Sequence, residues 1–467
     1  MDEFRSKADH AVESLAGRDD VALIHHNRCL TGAELAALVY RLAAALRAAG
    51  VSPGRLVAIH AENSPEVVAV RMATHLLGAC AAVFPTHASD ELLSFTAADV
   101  LVTSPRFARD GAYSLGPAPG RTDLLAIAAT MPATPSHGNA APDDLCFIVF
   151  SGGTTGTPKG SCHTYADHSA LVGALREPGT RLLVVTPLAY LAQSLVDGAL
   201  ASGGQVILLD SPVPFDPAVV LTAIERHRVT NLFLVEPQLF ALATHPDLSA
   251  YDISSLRRLL HLGAAAPAAA RRTALNRLGP VLCHGYGSSE TGLVAMLEPA
   301  EYTPDLLDTA GKLLPHRHIR FTNPDGTPAT SGEPGDIAVA GPGVAVGYWR
   351  RPDLDSAIAD GWLDTGDVGF LDADGYLHIL GRRRDMIGGI FPAQIENLLY
   401  QRPEVLLASA FSDTDHFHAV VVPEPGVAVD PARLAADALA ALGVPVTVTL
   451  ADHIPLTEQG KPNPKVA

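Results

Sequence analysis

The sequence predicts an α/β protein: a large N-terminal lobe of doubly wound α/β subdomains with a β-rich subdomain, and a small α+β C-terminal domain. Three observations carry this. Apolar strand-like runs alternate with helical periodicity as far as residue 278. From 319 to 380 the texture becomes short alternating strands between turn clusters. Beyond the polar run 381–385, a compact strand-and-helix unit closes the chain. With 467 residues, at roughly 150 per domain, about three packing units are expected. The shifts place the core at 1–380 (its β-rich part from about 315), the boundary at 381–385 and the small domain at 386–467.

The elements follow in order. Thr31 and Glu34 form a capping-box pattern. Leu35, Leu38, Val39, Leu42 and Leu46 then recur at helical spacing, and Gly50 ends the run. Leu56-Val57-Ala58-Ile59 reads as a buried strand. Ser64-Pro65 opens a helix, with proline at its first position and Glu66 favourable in its first turn. The stretch 106–142, rich in Pro, Gly, Ala and Thr, reads as a loosely ordered connection. A short strand over 145–150 leads into a Gly/Thr loop. Alternation resumes with strands at 182–185, 206–209, 232–235 and 259–262, and helices at 217–228 and 267–278. In the β-rich part, Asn323-Pro324-Asp325-Gly326 and Asp372-Ala373-Asp374-Gly375 are turn signals. In the small domain, Val420-Val421-Val422 reads as strand and 431–442 as helix.

Composition excludes several classes. Hydrophobic residues make up 48% and charged ones 18%, too apolar for a disordered chain. Thirty-three Lys and Arg against 50 Asp and Glu give a net charge of −17, so no overall attraction for nucleic acid or anionic membranes is expected. The run Arg382-Arg383-Arg384 remains a local anion-binding candidate. The most apolar stretch, 67–84, is interrupted by Arg71 and His75, which argues against a membrane span. Residues 1–18 are charged and lack an apolar signal core. The five cysteines, Cys29, Cys80, Cys146, Cys162 and Cys283, include no CxxC pair and read as buried free thiols of a reducing, cytoplasmic compartment.

Ser151-Gly152-Gly153-Thr154-Thr155-Gly156-Thr157-Pro158-Lys159-Gly160 follows the strand ending at Phe150. Glycines let the backbone approach a polyphosphate, hydroxyls and amide N–H groups donate to its oxygens, and Lys159 adds positive charge. The spacing is not that of a Walker A loop, because Lys159 is followed by Gly160. This segment resembles the signature loop of the adenylate-forming enzymes: acyl-CoA synthetases, aryl-CoA ligases and peptide-synthetase adenylation domains. Further motifs follow in the order of that family, and the resemblance spans nearly the whole chain.

Gly285-Tyr286-Gly287-Ser288-Ser289-Glu290-Thr291 is an open turn on which a ring can stack, and Glu290 is a hard carboxylate suited to Mg²⁺. The resemblance places Tyr286 on adenine, Ser289 near the α-phosphate and Glu290 on the metal. Leu262-Gly263-Ala264-Ala265-Ala266-Pro267 resembles the turn lining the adenine and acyl sites, where Gly263 and Ala264 permit close approach. Trp362-Leu363-Asp364-Thr365-Gly366-Asp367 resembles the ribose-binding turn, with Asp367 the ligand and Asp364 a turn residue. Gly381-Arg382-Arg383-Arg384-Asp385 resembles the hinge about which the small domain moves. Arg382 matches the arginine on ribose or phosphate, Arg384 the hinge position, and Arg383 a solvated linker. Pro455-Leu456-Thr457-Glu458-Gln459-Gly460-Lys461 resembles the motif carrying the catalytic lysine, here Lys461.

The resemblance implies attack of a carboxylate on the α-phosphorus of ATP, giving acyl-AMP and pyrophosphate. A thiol, of CoA or a carrier protein, then takes the acyl group. Cations and dipoles must hold two anions together, the task of Mg²⁺, Lys159, Lys461 and the phosphate loop. The implied acyl pocket starts near Tyr190 and Gln193, with Val235, Gly263 and Gly287 as further wall residues. Amino-acid-activating relatives place an aspartate close to that start. None occurs before Asp197, which favours an aryl or alkyl acid. Between Ile387 and Phe391 the chain reads Gly388-Gly389-Ile390, shorter than the usual loop after the hinge. That departure leaves a second reading, a nitrogen acceptor or nitrite activation as in ATP-dependent diazotases; a third, a non-catalytic nucleotide or acyl binder, is argued against by the retained Lys159, Glu290, Asp367, Arg382 and Lys461.

Overall fold

The computed structural model describes residues 6–136, 138, 140–151, 159–210, 215–263 and 267–455. Among them two large, mainly parallel sheets dominate. In the nine-stranded sheet, Val21–His25, Gln205–Leu208, Arg181–Val184, Asn231–Val235, Arg258–Leu262 and Leu282–Ser288 run parallel in that spatial order. In the eight-stranded sheet, Leu145–Ser151, Cys80–Phe84, Leu56–His60 and Val100–Thr103 run parallel, and Lys159–Thr164 folds back antiparallel on Leu145–Ser151. The helices Lys7–Ala16, Gly32–Ala48, Pro65–Leu76 and Leu191–Ala201 share one apolar core with faces of both sheets. This is the expected doubly wound architecture.

Local signals act as read. Thr31 Oγ1 accepts from the Glu34 N–H at 3.1 Å, and Glu34 accepts from the Thr31 N–H at 2.8 Å. Ser64 caps the helix Pro65–Leu76. The β-rich part is an antiparallel sheet that includes His318–Thr322, Gly335–Ala340, Trp362–Leu371 and Leu377–Arg382. Gly326 and Gly375 sit at φ +82° in its two expected turns.

Two expectations need correction. The stretch 106–142 holds the short strands Tyr113–Ser114 and Thr122–Asp123 and the helix Leu124–Thr130, capped by Asp123. These elements are too short to show a periodicity, yet Leu124 is fully buried. Cys29 is exposed, on a strand at the edge of the sheet, whereas Cys80, Cys146, Cys162 and Cys283 are buried free thiols as expected.

The small C-terminal unit pairs Val405–Asp413, His416–Pro423 and Val446–Leu450 into a sheet beneath the helices Pro392–Leu399 and Pro431–Leu442. It rests on the large lobe through Tyr400 and Leu407, which join the core around Phe240. Asn397 Oδ1 also accepts from the Ala268 N–H at 2.8 Å. That bond caps the helix Ala268–Leu278, whose N-cap, Pro267, has no side chain able to do so. After Arg383–Asp385 the chain makes a two-residue turn, Gly388-Gly389, closed by reciprocal bonds between Ile387 and Ile390 at 3.0 and 2.9 Å. Both glycines have positive φ, which such a turn requires.

Among the described residues no helix is long and apolar enough to cross a membrane. The helices Pro65–Leu76 and Leu191–Ala201 are joined by a buried ion pair. The Arg71 guanidinium donates to both Asp197 oxygens at 2.6 and 2.5 Å, and His168 Nε2 lies 2.9 Å from Oδ2. Burial raises the Asp197 pKa, but the Arg71 charge and the hydrogen bonds outweigh it and hold the carboxyl well below the usual range. Asp197→Ala strands the Arg71 charge, so it is expected to lower unfolding stability by about 3–5 kcal/mol in urea titrations.

Glu396 is buried in the small unit with no cation beside it among the described residues, and it accepts from the Ala410 N–H at 2.9 Å. Burial pushes its carboxyl up to about 8. The folded state therefore holds a proton that the unfolded state releases near the ordinary Glu value. Its contribution to stability is full below that value and lost as pH rises to about 8. Urea titrations at pH 5 and pH 8.5 should show a fall on the order of a few kcal/mol that Glu396→Gln removes.

Candidate active site

The predicted phosphate loop closes the hairpin of Leu145–Ser151 and Lys159–Thr164, in which Ser151 and Lys159 are direct partners. Gly152, Gly153, Thr154, Thr155 and Gly156 lie outside the described residues, as do Ala264 and Lys461. The hairpin is fastened to the second motif. His163 stacks on Phe147 at a centroid distance of 4.7 Å, and its Nε2 lies 2.8 Å from the Ser289 carbonyl. A carbonyl only accepts, so Nε2 carries the proton. Burial lowers the His163 pKa, which keeps the ring neutral. The segment around Gly347–Tyr348 completes the seam. Ala345 N–H donates to the Glu290 carbonyl at 2.7 Å, and Trp349 N–H donates to Gly160 at 2.7 Å.

Gly285, Tyr286 and Gly287 are the last turnward residues of the strand Leu282–Ser288, which folds back antiparallel into Gly292–Leu297. Gly287 is required by sterics: a Cβ there would lie 2.1 Å from the Gly292 carbonyl oxygen. At Gly285 it would lie 2.9 Å from Leu293. Gly263, at φ +108°, turns the chain out of Arg258–Leu262. Ser289 and Glu290 occupy the turn itself. Among the described residues, no donor reaches the half-buried Glu290 carboxylate, although Glu290 and burial together raise the neighbouring Tyr348 phenol to about 12, burial contributing most.

Tyr286, Asp367 and Arg382 meet. The Tyr286 hydroxyl donates to Asp367 Oδ2 at 2.6 Å, and Arg382 Nε lies 2.9 Å from Oδ1. Asp367 and Arg382 are cross-strand partners, so the register sets their pairing. Arg382 also donates to the Thr365 carbonyl at 2.9 Å. Burial raises the Asp367 pKa, and Arg382 and Tyr286 oppose it. Asp364 accepts from the Gly366 N–H at 2.9 Å, the turn role expected of it. Arg383 differs from expectation: it pairs with Asp336 at 2.6 Å instead of lying solvated.

The acyl-wall candidates divide. Val235 packs with Phe233, Leu260 and Leu293, joined by Leu191 and Leu195 from the helix Leu191–Ala201. Gln193 takes the Asp197 side of that helix, where its carbonyl faces Arg71 at 3.5 Å. Tyr190, just before the helix, packs against the cluster of Phe147 and Val149 at the hairpin. Sequence reasoning missed His163, Tyr348, Leu191 and Leu195. His163 and Tyr348 belong to no spaced motif, and the leucines look like ordinary core.

The hairpin Leu145–Ser151/Lys159–Thr164, the Ser289–Glu290 turn and the Tyr286–Asp367–Arg382 knot are gathered where three sheets meet, and this meeting place is the candidate site. The sequence family described as AMP-binding enzyme matches residues 13–349, and the chain belongs to it. It is 35% identical to a feruloyl-CoA synthase of an Amycolatopsis species, covering 94% of each chain. It is 32% identical to the indoleacetate–CoA ligase of Aromatoleum aromaticum, covering 93% of this chain and 92% of that one. The solved amide bond synthetase McbA of Marinactinospora thermotolerans superposes with a TM-score of 0.88 at 33% identity over 98% of both chains. The protein is an ATP-dependent, AMP-forming ligase: it joins a carboxylic acid to AMP and releases pyrophosphate.

Gly287→Ala drives a methyl group into backbone that cannot step aside. It should cost about 2 kcal/mol or more in thermal unfolding and weaken ATP binding by calorimetry more than about tenfold.

Proposed function

We propose that the enzyme activates an aryl carboxylic acid and transfers the acyl group to CoA in the cytoplasm, with no nucleic-acid or membrane partner. The observation that carries this reading is the meeting of Tyr286, Asp367 and Arg382 beside the turn that His163 ties to the phosphate-loop hairpin. Adenine lies against Tyr286, with Gly263, Ala264, Gly285 and Gly287 leaving room for it. The ribose hydroxyls bond to Asp367, which Arg382 holds in place. Residues 151–156 and Lys159 receive the β- and γ-phosphates, and Ser289 lies by the α-phosphate. The Glu290 carboxylate, which has no hydrogen-bond partner among the described residues, is a hard oxygen ligand that fits Mg²⁺, and the ion would neutralise phosphate charge. Lys461 supports the charge that builds on the α-phosphate and acyl oxygens as the carboxylate attacks.

An α-amino acid is disfavoured as substrate. The first aspartate past the start of the pocket, Asp197, is saturated by Arg71 and His168 and faces away from Val235. The relatives named above carry aromatic acids in their names, which supports an aryl body. The likeness to an amide bond synthetase and the two-residue turn at Gly388-Gly389 favour a second reading, an amine in place of the thiol. A carrier-protein thiol is the further alternative to CoA.

Purified enzyme with ATP, Mg²⁺ and a panel of aryl and alkyl acids should release pyrophosphate, and acyl-CoA should appear when CoA is added. Lys461→Ala should slow adenylation by on the order of 10²–10³ with nucleotide binding retained. Mass spectrometry with CoA, carrier protein and amine supplied in turn decides the acceptor: amide as sole product replaces the thiol reading. Nucleotide binding with no turnover of any acid would leave a binder.

A further inference from the structure

We propose that His25, His26 and Asp210 form a binding site for a transition-metal dication such as Zn²⁺, separate from the nucleotide site. One turn and one strand pairing bring the three together. Val21–His25 and Arg28–Thr31 form a hairpin connected by His26 and Asn27. Successive residues of a strand point to opposite faces, which would part the two rings. His26 instead takes φ +53°, a left-handed conformation unfavourable for most residues with a Cβ, and the ring centroids come to 4.2 Å. The strand Gln205–Leu208 runs parallel beside Val21–His25 with Leu208 opposite His25, so Asp210 lies just past the same end of the sheet.

Both rings converge on one atom. His25 Nε2 lies 3.1 Å and His26 Nε2 3.2 Å from Asp210 Oδ1. An ion about 2.1 Å from each atom would see nitrogen and oxygen about 95–100° apart, between the octahedral and tetrahedral angles. Without an ion, the carboxylate oxygen accepts from both Nε2–H groups. When an ion enters, each ring stays neutral and its proton passes to Nδ1 through solvent. The His26 and Asp210 side chains are 60% and 62% exposed, so an ion can reach them and water can fill its remaining positions. Two further His–carboxylate groups among the described residues are buried and offer no such access. Arg28, the cross-strand partner of His25, is matched by Glu66 at 2.8 Å, which spares the site a free cation. Two imidazoles and a carboxylate suit Zn²⁺, Co²⁺ or Ni²⁺, whereas Mg²⁺ and Ca²⁺ take oxygen ligands. The strand of His25 stands five spacings from that of Tyr286, about 24 Å, too far to share the Mg²⁺ proposed at Glu290. A bound ion would clip the hairpin to the end of the neighbouring strand.

The test titrates the full chain with ZnCl₂ in a large excess of MgCl₂ and reads binding by calorimetry. Zinc should bind at one site with a Kd of about 10 μM or below. His26→Asn removes one ligand and keeps the turn, because asparagine tolerates the left-handed conformation. Asp210→Asn removes the carboxylate and is the independent arm. Each should weaken zinc binding more than about tenfold, since even the loss of a contact supporting a ligand costs about 10–100-fold. CoCl₂ should give visible d–d absorption that saturates at one equivalent and is lost in His26→Asn. Weaker binding, binding that Mg²⁺ displaces, or binding that either substitution leaves within tenfold overturns the proposal, as does cobalt absorption that survives His26→Asn.

Discussion

The cleft depends on one buried carboxylate. Asp367 is about nine-tenths hidden from solvent, and a charge so placed is stable only when both its oxygens are engaged. Arg382 engages one from the neighbouring strand, and Tyr286 the other from a different sheet. The Tyr286 contact therefore docks the antiparallel sheet onto the parallel one. A carboxylate offers about four acceptor positions, and these contacts use two. Two remain for a further pair of donors, such as the vicinal diol proposed above, with the carboxylate already oriented. Preorganisation of this kind spares the reaction the cost of ordering its ligands.

A chain of net charge −17 that grips a polyphosphate must do so by local geometry. The arginine run shows how little of its charge is free. Arg382 pairs with Asp367, Arg383 with Asp336, and Arg384 lies 3.7 Å from Asp385. The run builds the wall of the cleft and is not a loose anion patch. On the proposed reading, attraction for phosphate falls to the hairpin-loop segment, to Lys159 and to a metal that Glu290 would hold. His163 serves the same economy of charge. As a neutral ring it joins the hairpin to the Ser289–Glu290 turn without adding a cation beside the Glu290 carboxylate.

Much of this was legible in the sequence because the chemistry needs particular residue types at fixed spacing. Gly287 and Gly285 announce a close backbone approach, and the structure shows what they approach, Gly292 and Leu293. Thr31 with Glu34, Ser64 with Pro65, and the Asx-Gly turns act within a few residues, so their outcome is local. What was not legible is contact across distant segments. Nothing near Gln193 in the chain says that its side of the helix belongs to Arg71, more than 100 residues earlier. Arg383 gives no sign of Asp336, nor His163 of Ser289. The short elements in 106–142 escaped because a two-residue edge strand carries no period to detect.

The contact between the lobes can be weighed in the same terms. Asn397 caps a helix that begins just past the Gly263 turn, and such a cap is worth about 1 kcal/mol. Tyr400 and Leu407 add apolar burial against the Phe240 core, both staying partly exposed themselves. Water can satisfy the Ala268 N–H if Asn397 withdraws. The small unit keeps its own core around Ile395, Phe417 and Leu434 whether docked or not. An interface with these parts costs little to leave and little to re-form. On the proposed reading a two-step ligase needs that balance, because the unit proposed to carry the catalytic lysine would serve the first step and then clear the way for the second nucleophile. The cap also couples that motion to the site, since the helix that loses Asn397 is the one the Gly263 turn leads into.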